Sequence, residues 1–277
     1  MQREQIAKDT VQILGRGEYC LPDGRSVNFV AELRHCVQHT QCYEPATLDT
    51  LRDRVLAGPG EFPETVFDVV NETTLQGSAR LASDPVYCRV GVLNFASARN
   101  PGGGFLTGAH AQEESLARSS GLYQSLLRCP AYYAYHRSHR SGLYSDRMIY
   151  SPRCPVFRAD DGMLLDQVYC VDFITSPAPN AGAIAKNEPG NLALIEDTLR
   201  ERASKILALA AHHACDALVL GAWGCGVFRN DPVLVAEIFA QYLGPGGSFW
   251  GRFRRVLFSV LDISEDQAIY YAFRRRF

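Results

Sequence analysis

Short apolar runs alternate with amphipathic stretches from about residue 65 onward, and this alternation indicates the type of fold. Strands are predicted at 65–70, 90–97, 148–157, 167–176, 217–223 and 254–262. The run 217–223 is apolar throughout, as expected for a strand covered on both faces. A long amphipathic helix is predicted at 191–215. The pattern predicts a three-layer α/β/α sandwich with a mixed, largely parallel central sheet.

Two helix starts are predicted from capping residues. Asn71 follows the first strand directly and is a plausible N-cap for the next helix. Asp231 and Pro232 supply an N-cap and a first-turn proline for a helix over 232–243.

The first 63 residues show a different pattern. Helices are indicated at 2–14, 29–39 and 47–57, and the turn Pro22-Asp23-Gly24 suggests a short hairpin between the first two. The segment GPGEFP at 58–63 is typical of a linker. We therefore expect residues 1–63 to be an N-terminal helical extension packed on a main domain of residues 64–277.

The composition limits the classes of ligand. The 277 residues carry a net charge of -2, so general electrostatic attraction to a polyanion, and with it sequence-specific nucleic-acid binding, is not expected. The nine cysteines include no C-x-x-C pair that would suggest zinc, and they favour a reducing cytosol. With no apolar segment of membrane-spanning length and no signal-peptide pattern, a cytoplasmic protein is expected.

Two glycine-rich segments follow predicted strands. NPGGG comes after the strand at 90–97, and GAWGCGVFRND includes the end of the strand at 217–223. Ligands of open α/β sheets bind in loops at the carboxyl ends of strands, and glycines let backbone N–H groups approach a phosphate closely. The alternative is that the glycines only make tight turns. Neither segment matches the P-loop or the dinucleotide fingerprint.

Two residues beside these loops each have two possible roles. Asn100 could hydrogen-bond a ribose hydroxyl or cap a turn, and Phe228 could cover a sugar or base face or anchor the core. His110 is read as loop structure.

Three polar residues, Gln112, Glu113 and Glu114, begin a predicted helix just after the first loop. Adjacent helical residues point about 100° apart, so the two carboxylates cannot straddle a glycosidic bond. One could contact sugar hydroxyls while the other transfers a proton, and a neighbouring carboxylate favours the protonated form of such an acid. Alternatively, both acids only complement the helix macrodipole, which opposes protonation.

The combination of LNFAS, GGG, QEE and the later GAWGCGVF resembles the poly(ADP-ribose) glycohydrolases of the compact bacterial and fungal type, over about residues 65–262. The resemblance implies a macrodomain-like catalytic domain that hydrolyses the ribose–ribose O-glycosidic bonds of poly(ADP-ribose) and releases ADP-ribose. It implies Glu114 as the acid/base, Glu113 as a ligand of ribose hydroxyls and Gln112 as a residue that fixes the loop or the ligand. No cofactor and no metal ion are implied.

The resemblance also implies the residues that bind substrate. The ribose and phosphate path would be lined by Gly102, Gly103 and Gly104. The diphosphate would be wrapped by Gly224, Cys225, Gly226, Val227 and Phe228, with Phe228 over the distal ribose. Expected partners are poly(ADP-ribose), ADP-ribose and ADP-ribosylated proteins.

Asn94 stands where vertebrate members carry an aspartate, and no insertion that would hold long polymer is evident, which favours removal of terminal units. Two alternatives stay open: a macrodomain that binds ADP-ribose without cleaving it, and a hydrolase of ADP-ribosyl esters such as O-acetyl-ADP-ribose. Binding alone does not need an acid at Glu114. Five aromatic residues are candidates for the adenine side and equally for the core: Tyr43, Phe67, Phe95, Tyr144 and Phe157.

Overall fold

The computed structural model describes residues 2–277. The elements of this part of the chain are α1 (Arg3–Arg16), β1 (Glu18–Cys20), β2 (Ser26–Asn28), α2 (Val30–His39), β3 (Gln41–Tyr43), α3 (Pro45–Ala57), β4 (Val66–Val70), α4 (Thr74–Ser83), β5 (Val90–Phe95), α5 (Gln112–Ser119), α6 (Leu122–Leu126), α7 (Pro130–Ser138), β6 (Met148–Arg158), β7 (Leu164–Ser176), α8 (Ala181–Asn187), α9 (Ile195–His212), β8 (Ala217–Leu220), α10 (Pro232–Leu243), β9 (Arg255–Ser259) and α11 (Ala268–Arg274). Short 3₁₀ helices cover Phe105–Thr107 and Pro189–Leu194.

Seven strands form the central sheet in the order β3-β6-β7-β5-β8-β9-β4. The five strands from β7 to β4 are parallel, and β3 and β6 add two antiparallel pairings. One face packs against α3, α9, α10 and α11, and the other packs against α4, α5, α6 and α7. The predicted sandwich with a mixed, largely parallel sheet is confirmed.

Strand β8 shows why this sheet has a core on each face. Leu218 and Leu220 belong to the apolar cluster on one side, and Ala217 and Val219 belong to the cluster on the other. Successive side chains of a strand point to opposite faces, so an uninterrupted apolar run is what a doubly covered strand requires.

The N-terminal segment contributes more than helices. The predicted hairpin forms between β1 and β2, and the predicted helices correspond to α1, α2 and α3. Strand β3 was not predicted from the sequence; it pairs with β6 at the edge of the main sheet, with Cys42 opposite Ile149. The boundary at residue 63 stays a prediction.

The expected N-cap at Asn71 is wrong. Thr73 caps α4 and accepts a hydrogen bond from the Gln76 backbone, while the Gln76 side chain accepts one from the Thr73 backbone. Asn71 instead joins the ends of β4 and β9, because its side chain donates to the Asp262 carbonyl and accepts from the Asp262 N–H. The predicted cap at Asp231 is confirmed, with the Val233 N–H donating to its carboxylate.

One pair of cysteines is bridged. Cys42 of β3 and Cys129, which precedes α7, form a disulfide with their Cα atoms 5.9 Å apart. The other seven cysteines are free thiols, among them the buried Cys225. A cytosolic location stays a prediction. No helix within residues 2–277 has the length and apolar character needed to cross a membrane.

A buried ion cluster holds the loops on either side of β6 and β7. Arg202 of α9 is 1% exposed and donates to the Asp146 carboxylate at 2.9 Å, to the Pro177 carbonyl at 2.8 Å and to the Leu143 carbonyl at 3.0 Å. Lys205 donates to the second oxygen of Asp146. One helix therefore fixes two loops that lead toward the carboxyl ends of the strands.

We expect Arg202→Met to lower the free energy of unfolding by about 3–5 kcal/mol, since it leaves two carbonyls without their donor and removes one of the two cations that pair with the Asp146 carboxylate. Arg200→Met is the matched control, because Arg200 lies on the same helix and pairs with Glu196 at the surface, where a change within about 1 kcal/mol is expected. Urea denaturation measures both. Equal losses for the two variants would contradict the role given to Arg202.

Candidate active site

The two glycine-rich loops lie side by side because the strands that lead into them are neighbours. β5 pairs with β8 in parallel, with Val92 opposite Val219, so both strands present their carboxyl ends at the same edge of the sheet. A Cβ on Gly221 would lie 3.0 Å from the Phe95 ring, so the two loops begin in direct contact. These loops therefore form the edge of the sheet at which ligand binding was expected from the sequence.

The first loop needs glycine for its backbone and for space. Gly102 and Gly103 have φ values of 70° and 60°, in the left-handed region that favours glycine. A Cβ on Gly103 would lie 2.2 Å from a carboxylate oxygen of Glu114 and 3.3 Å from one of Glu113. The Gly104 N–H donates to Glu114 at 3.0 Å. The glycines thus allow the loop backbone to lie against both carboxylates.

Asn100 acts in this loop through its backbone. Its N–H donates to the Ser97 hydroxyl, and its carbonyl accepts from the Gly103 N–H at 3.0 Å. The exposed side chain makes no hydrogen bond within residues 2–277. A substrate-binding role for that side chain stays a prediction.

Gln112 fastens α5 to the end of β5. Its amide oxygen accepts from the Phe95 N–H at 2.9 Å, and its amide nitrogen donates to the Leu93 carbonyl at 2.8 Å and to the Thr74 hydroxyl at 3.2 Å. Both ends of the amide are engaged within the protein. This geometry supports the fixing of the loop, the first of the two roles foreseen for Gln112.

Glu113 is buried, with 3% of its surface exposed. One carboxylate oxygen accepts from the Ser97 N–H at 2.6 Å, and the other accepts from the Asn94 amide at 3.3 Å. Burial raises the pKa of Glu113 to about 8, against the opposing effect of these hydrogen bonds. Glu113 is therefore mainly neutral at pH 7, although it lies in the first turn of α5.

Buried polar atoms without partners surround Glu113. They are the Asn94 amide oxygen and the hydroxyls of Tyr132 and Tyr133 from α7, all without a hydrogen bond within residues 2–277. A protonated Glu113 needs an acceptor, and the Asn94 amide supplies one when its two ends are exchanged. The Thr175 hydroxyl, 3.1 Å from that amide, could then donate to the same oxygen. The surroundings of Glu113 thus suit a neutral carboxyl group.

Glu114 has a different environment one residue further on. Its side chain is partly exposed, and one carboxylate oxygen accepts from the Gly104 N–H. The other oxygen has no hydrogen bond within residues 2–277, so it can meet a ligand. The structure therefore gives the two adjacent glutamates opposite exposures, which their positions in the sequence alone could not reveal.

The second loop is held by contacts of Gly224 with Ala178 and Asn230. Gly224 has φ 74°, and a Cβ there would lie 2.4 Å from Ala178 and 2.5 Å from the Asn230 amide. That amide donates to the carbonyls of Gly224 and Pro179 at 3.0 and 2.8 Å. The sequence analysis did not assign a role to Asn230, although it closes the predicted loop just before the cap of α10.

Further along the second loop, Gly226 and Val227 are accessible to solvent. Gly226 has no atom within 4 Å of an added Cβ, and the Val227 side chain is 79% exposed. Cys225 is buried, and burial raises the pKa of its thiol well above the usual range, so it suits packing rather than nucleophilic attack. Phe228 is half-buried, and its ring centroid lies 6.0 Å from that of Tyr144.

The five aromatic candidates for the adenine side lie in different places. Phe157 belongs to the core beneath α1 and α2, Tyr43 contacts His213, and Phe67 packs against Phe277. Phe95 and Tyr144 lie beside the two loops. Only these two share the sheet edge with the glutamates.

His110 makes structural contacts within the first loop. Its ring is 3.2 Å from the Arg118 guanidinium, which also donates to the Ala109 carbonyl.

Across residues 2–277, no group of three or more histidine, cysteine, aspartate or glutamate side chains is arranged to hold a metal ion.

Comparisons with known proteins identify the family of the chain. The family model described as "Microbial-type PARG, catalytic domain" matches residues 7–159, so it includes most of the N-terminal segment that the sequence resemblance had left out. No curated protein matched the sequence.

Solved structures match over most of the chain. Poly(ADP-ribose) glycohydrolase (PARG) from Thermomonospora curvata is 50% identical with a TM-score of 0.93, covering 99% of each chain. The same enzyme bound to the inhibitor ADP-HPD has a TM-score of 0.90. The enzyme from Deinococcus radiodurans in complex with ADP-ribose is 46% identical with a TM-score of 0.83, covering 88% of this chain and 96% of that one.

The family model spans 153 of the 277 residues, and the identity to the Thermomonospora enzyme extends over nearly the whole length. The order of the glycine loop, the glutamate pair and the second loop is the one that the resemblance required. The chain belongs to the family of microbial-type poly(ADP-ribose) glycohydrolases.

Proposed function

We propose that the chain hydrolyses the ribose–ribose O-glycosidic bonds of poly(ADP-ribose) and releases ADP-ribose. The observation that carries this proposal is the partly exposed carboxylate of Glu114, held by the Gly104 N–H beside a loop of three glycines. The related structures, which contain ADP-ribose or ADP-HPD, support the ligand class. ADP-ribosylated proteins are the natural carriers of such a substrate.

Glu114 suits the proton-transfer role better than Glu113 because a general acid must reach the leaving oxygen. Glu113 is 3% exposed and uses both carboxylate oxygens within the protein, whereas Glu114 has a free oxygen. In the proposed mechanism Glu114 protonates the departing ribose 2′ oxygen. The C1″–O bond then breaks with oxocarbenium character, and the Glu114 carboxylate deprotonates the water that attacks C1″.

A neutral Glu113 fits this sequence of steps. When Glu114 has given up its proton, the site contains one carboxylate rather than two adjacent ones, which avoids like-charge repulsion next to a substrate that is itself an anion. A neutral carboxyl group can also both donate to and accept from ribose hydroxyls.

The second loop is proposed to bind the diphosphate. The backbone of residues 224–228 faces an open side at Gly226, where backbone N–H groups can approach phosphate oxygens. Phe228 and Tyr144 offer apolar ring faces for the distal ribose at the end of this loop. Gly102 and Gly104 would line the path between the two sites.

Glu114→Gln should lower kcat for release of ADP-ribose by about 10²–10⁴-fold, since it removes a general acid/base. Release from automodified poly(ADP-ribose) is measured, with ADP-ribose binding followed by calorimetry to show that the cleft is intact. Glu265→Gln at an exposed position is the matched control.

Persistence of polymer with the unmutated enzyme would refute the proposed activity, and full activity of Glu114→Gln would refute the role of that residue. Binding without hydrolysis, or hydrolysis only of ADP-ribosyl esters, would support the corresponding alternative.

Glu113→Gln should stabilise the protein above pH 4.5. Because the pKa of Glu113 is raised from 4.5 to about 8, its contribution to stability is fully present below pH 4.5 and is lost as the pH rises to about 8. Glutamine does not ionise and keeps the acceptor for Ser97, so at pH 7 the variant should be more stable by about 3 kcal/mol. The other groups around this site, Glu114, Tyr132 and Tyr133, are unchanged.

Urea denaturation of both proteins across that pH range tests the expectation. The difference between them should grow from pH 4.5 toward pH 8. Parallel curves would mean that Glu113 ionises normally in the folded protein.

We also propose that the enzyme removes terminal units, because no insertion that would hold long polymer is evident in the loops at 97–111 and 221–231. Gel analysis early in the reaction should show free ADP-ribose and gradually shortening chains. The immediate appearance of short oligomers would instead indicate internal cleavage.

A further inference from the structure

Three arginines lie together on the rim of the first loop. The Arg137 guanidinium donates to the Arg99 carbonyl at 2.9 Å, and the Arg99 guanidinium reaches the Arg140 carbonyl at 3.4 Å. All three side chains are exposed, and none forms a salt bridge with a carboxylate of residues 2–277. These residues, Arg99, Arg137 and Arg140, are called the arginine rim below.

The protein as a whole carries a net charge of -2, so a group of exposed arginines without carboxylate partners in residues 2–277 is a local feature. Both contacts run from a guanidinium to a backbone carbonyl, so they hold the segments around residues 99 and 137–140 together without neutralising any of the charges. The Glu188 carboxylate lies within electrostatic reach of Arg99, but it accepts hydrogen bonds from Gly142, Ser141 and Asn191 and forms no salt bridge with Arg99. The rim therefore keeps guanidinium donors available for an anionic ligand.

The rim adjoins both parts of the proposed cleft. Arg99 precedes Asn100 and the glycines, and its N–H donates to Ser97, the residue whose backbone holds Glu113. Arg140 begins the segment that continues to Tyr144, whose ring faces Phe228. The positive charge thus lies outside the glutamates and the second loop, next to the entrance.

We propose that the arginine rim binds a diphosphate of a non-terminal ADP-ribose unit, which positions the polymer while its terminal unit occupies the cleft. This inference rests on the proposed function. Each unit of the polymer carries one diphosphate, and planar guanidinium groups bind phosphate oxygens in pairs. Backbone N–H groups of the second loop serve the terminal diphosphate, so the rim serves a second one.

The test compares polymer with ADP-ribose. The Glu114→Gln enzyme, which should bind polymer without consuming it, is combined with Arg99→Gln, Arg137→Gln and Arg140→Gln. The slope of log affinity for polymer against log salt is negative. If each arginine contributes one phosphate contact, its magnitude should be smaller by about 2 in the triple variant. The loss of polymer affinity between about 50 and 200 mM salt should then be roughly twentyfold smaller than for the enzyme that keeps the three arginines. Affinity for ADP-ribose should fall much less than affinity for polymer.

Two controls separate charge from structure. Arg34→Gln, Arg54→Gln and Arg274→Gln together remove the same charge from exposed positions on other parts of the surface and should leave the salt slope unchanged. Replacing the three rim arginines by lysine keeps the charge and should retain most of the slope, which separates the loss of charge from the loss of the arginine side chains themselves. Thermal unfolding of each variant is measured alongside.

The possible results are distinct. A smaller salt dependence of the affinity for polymer, without a comparable change for ADP-ribose, supports the inference. An unchanged polymer slope, an equal loss of affinity for ADP-ribose and polymer, or a change for duplex DNA but not for polymer would each overturn it. Failure of the unmutated enzyme to release ADP-ribose would overturn the proposed function instead, because that assay does not depend on the rim.

Discussion

The buried contact between Glu113 and the backbone of Ser97 is the constraint on which the site depends. It joins the first turn of α5 to the residue where the chain leaves β5, and Gln112 adds two hydrogen bonds to the same strand end. These contacts fix the direction in which α5 begins. Since Glu114 follows Glu113 on that helix, its carboxylate is then aimed at the Gly103–Gly104 backbone without further adjustment.

The same constraint explains why the loop is made of glycine. A helix fastened so tightly to the strand leaves the intervening residues little room, and a side chain at Gly103 would occupy the place of the Glu114 carboxylate. The left-handed backbone at Gly102 and Gly103 completes the return of the chain. Glycines here allow the two acids to approach the loop backbone closely. The loop and the glutamates are therefore one structural unit.

Local signals in the sequence predicted the elements that local forces determine. The apolar run of β8 and the Asp231-Pro232 helix start were predicted correctly, because burial and capping leave direct marks. The missed cap at Thr73 was also available, as the Thr-x-x-Gln pattern of a capping box. Strand β3 was not predictable in this way: three residues carry no period, and the strand is defined by its pairing with β6.

The site shows the same division between local and distant causes. The motif placed the glutamates beside the glycines, but the raised pKa of Glu113 comes from burial that only the folded chain creates. Tyr132 and Tyr133, on another helix, lie close enough to Glu113 to interact with it electrostatically. The arginine rim likewise depends on residues about 40 positions apart. Charge in this enzyme is therefore decided by the fold: a carboxyl group is kept neutral inside the site, while positive charge is gathered at its entrance. A slight negative net charge over the whole chain is therefore compatible with a local group of exposed arginines that have no carboxylate partners in the described part of the chain.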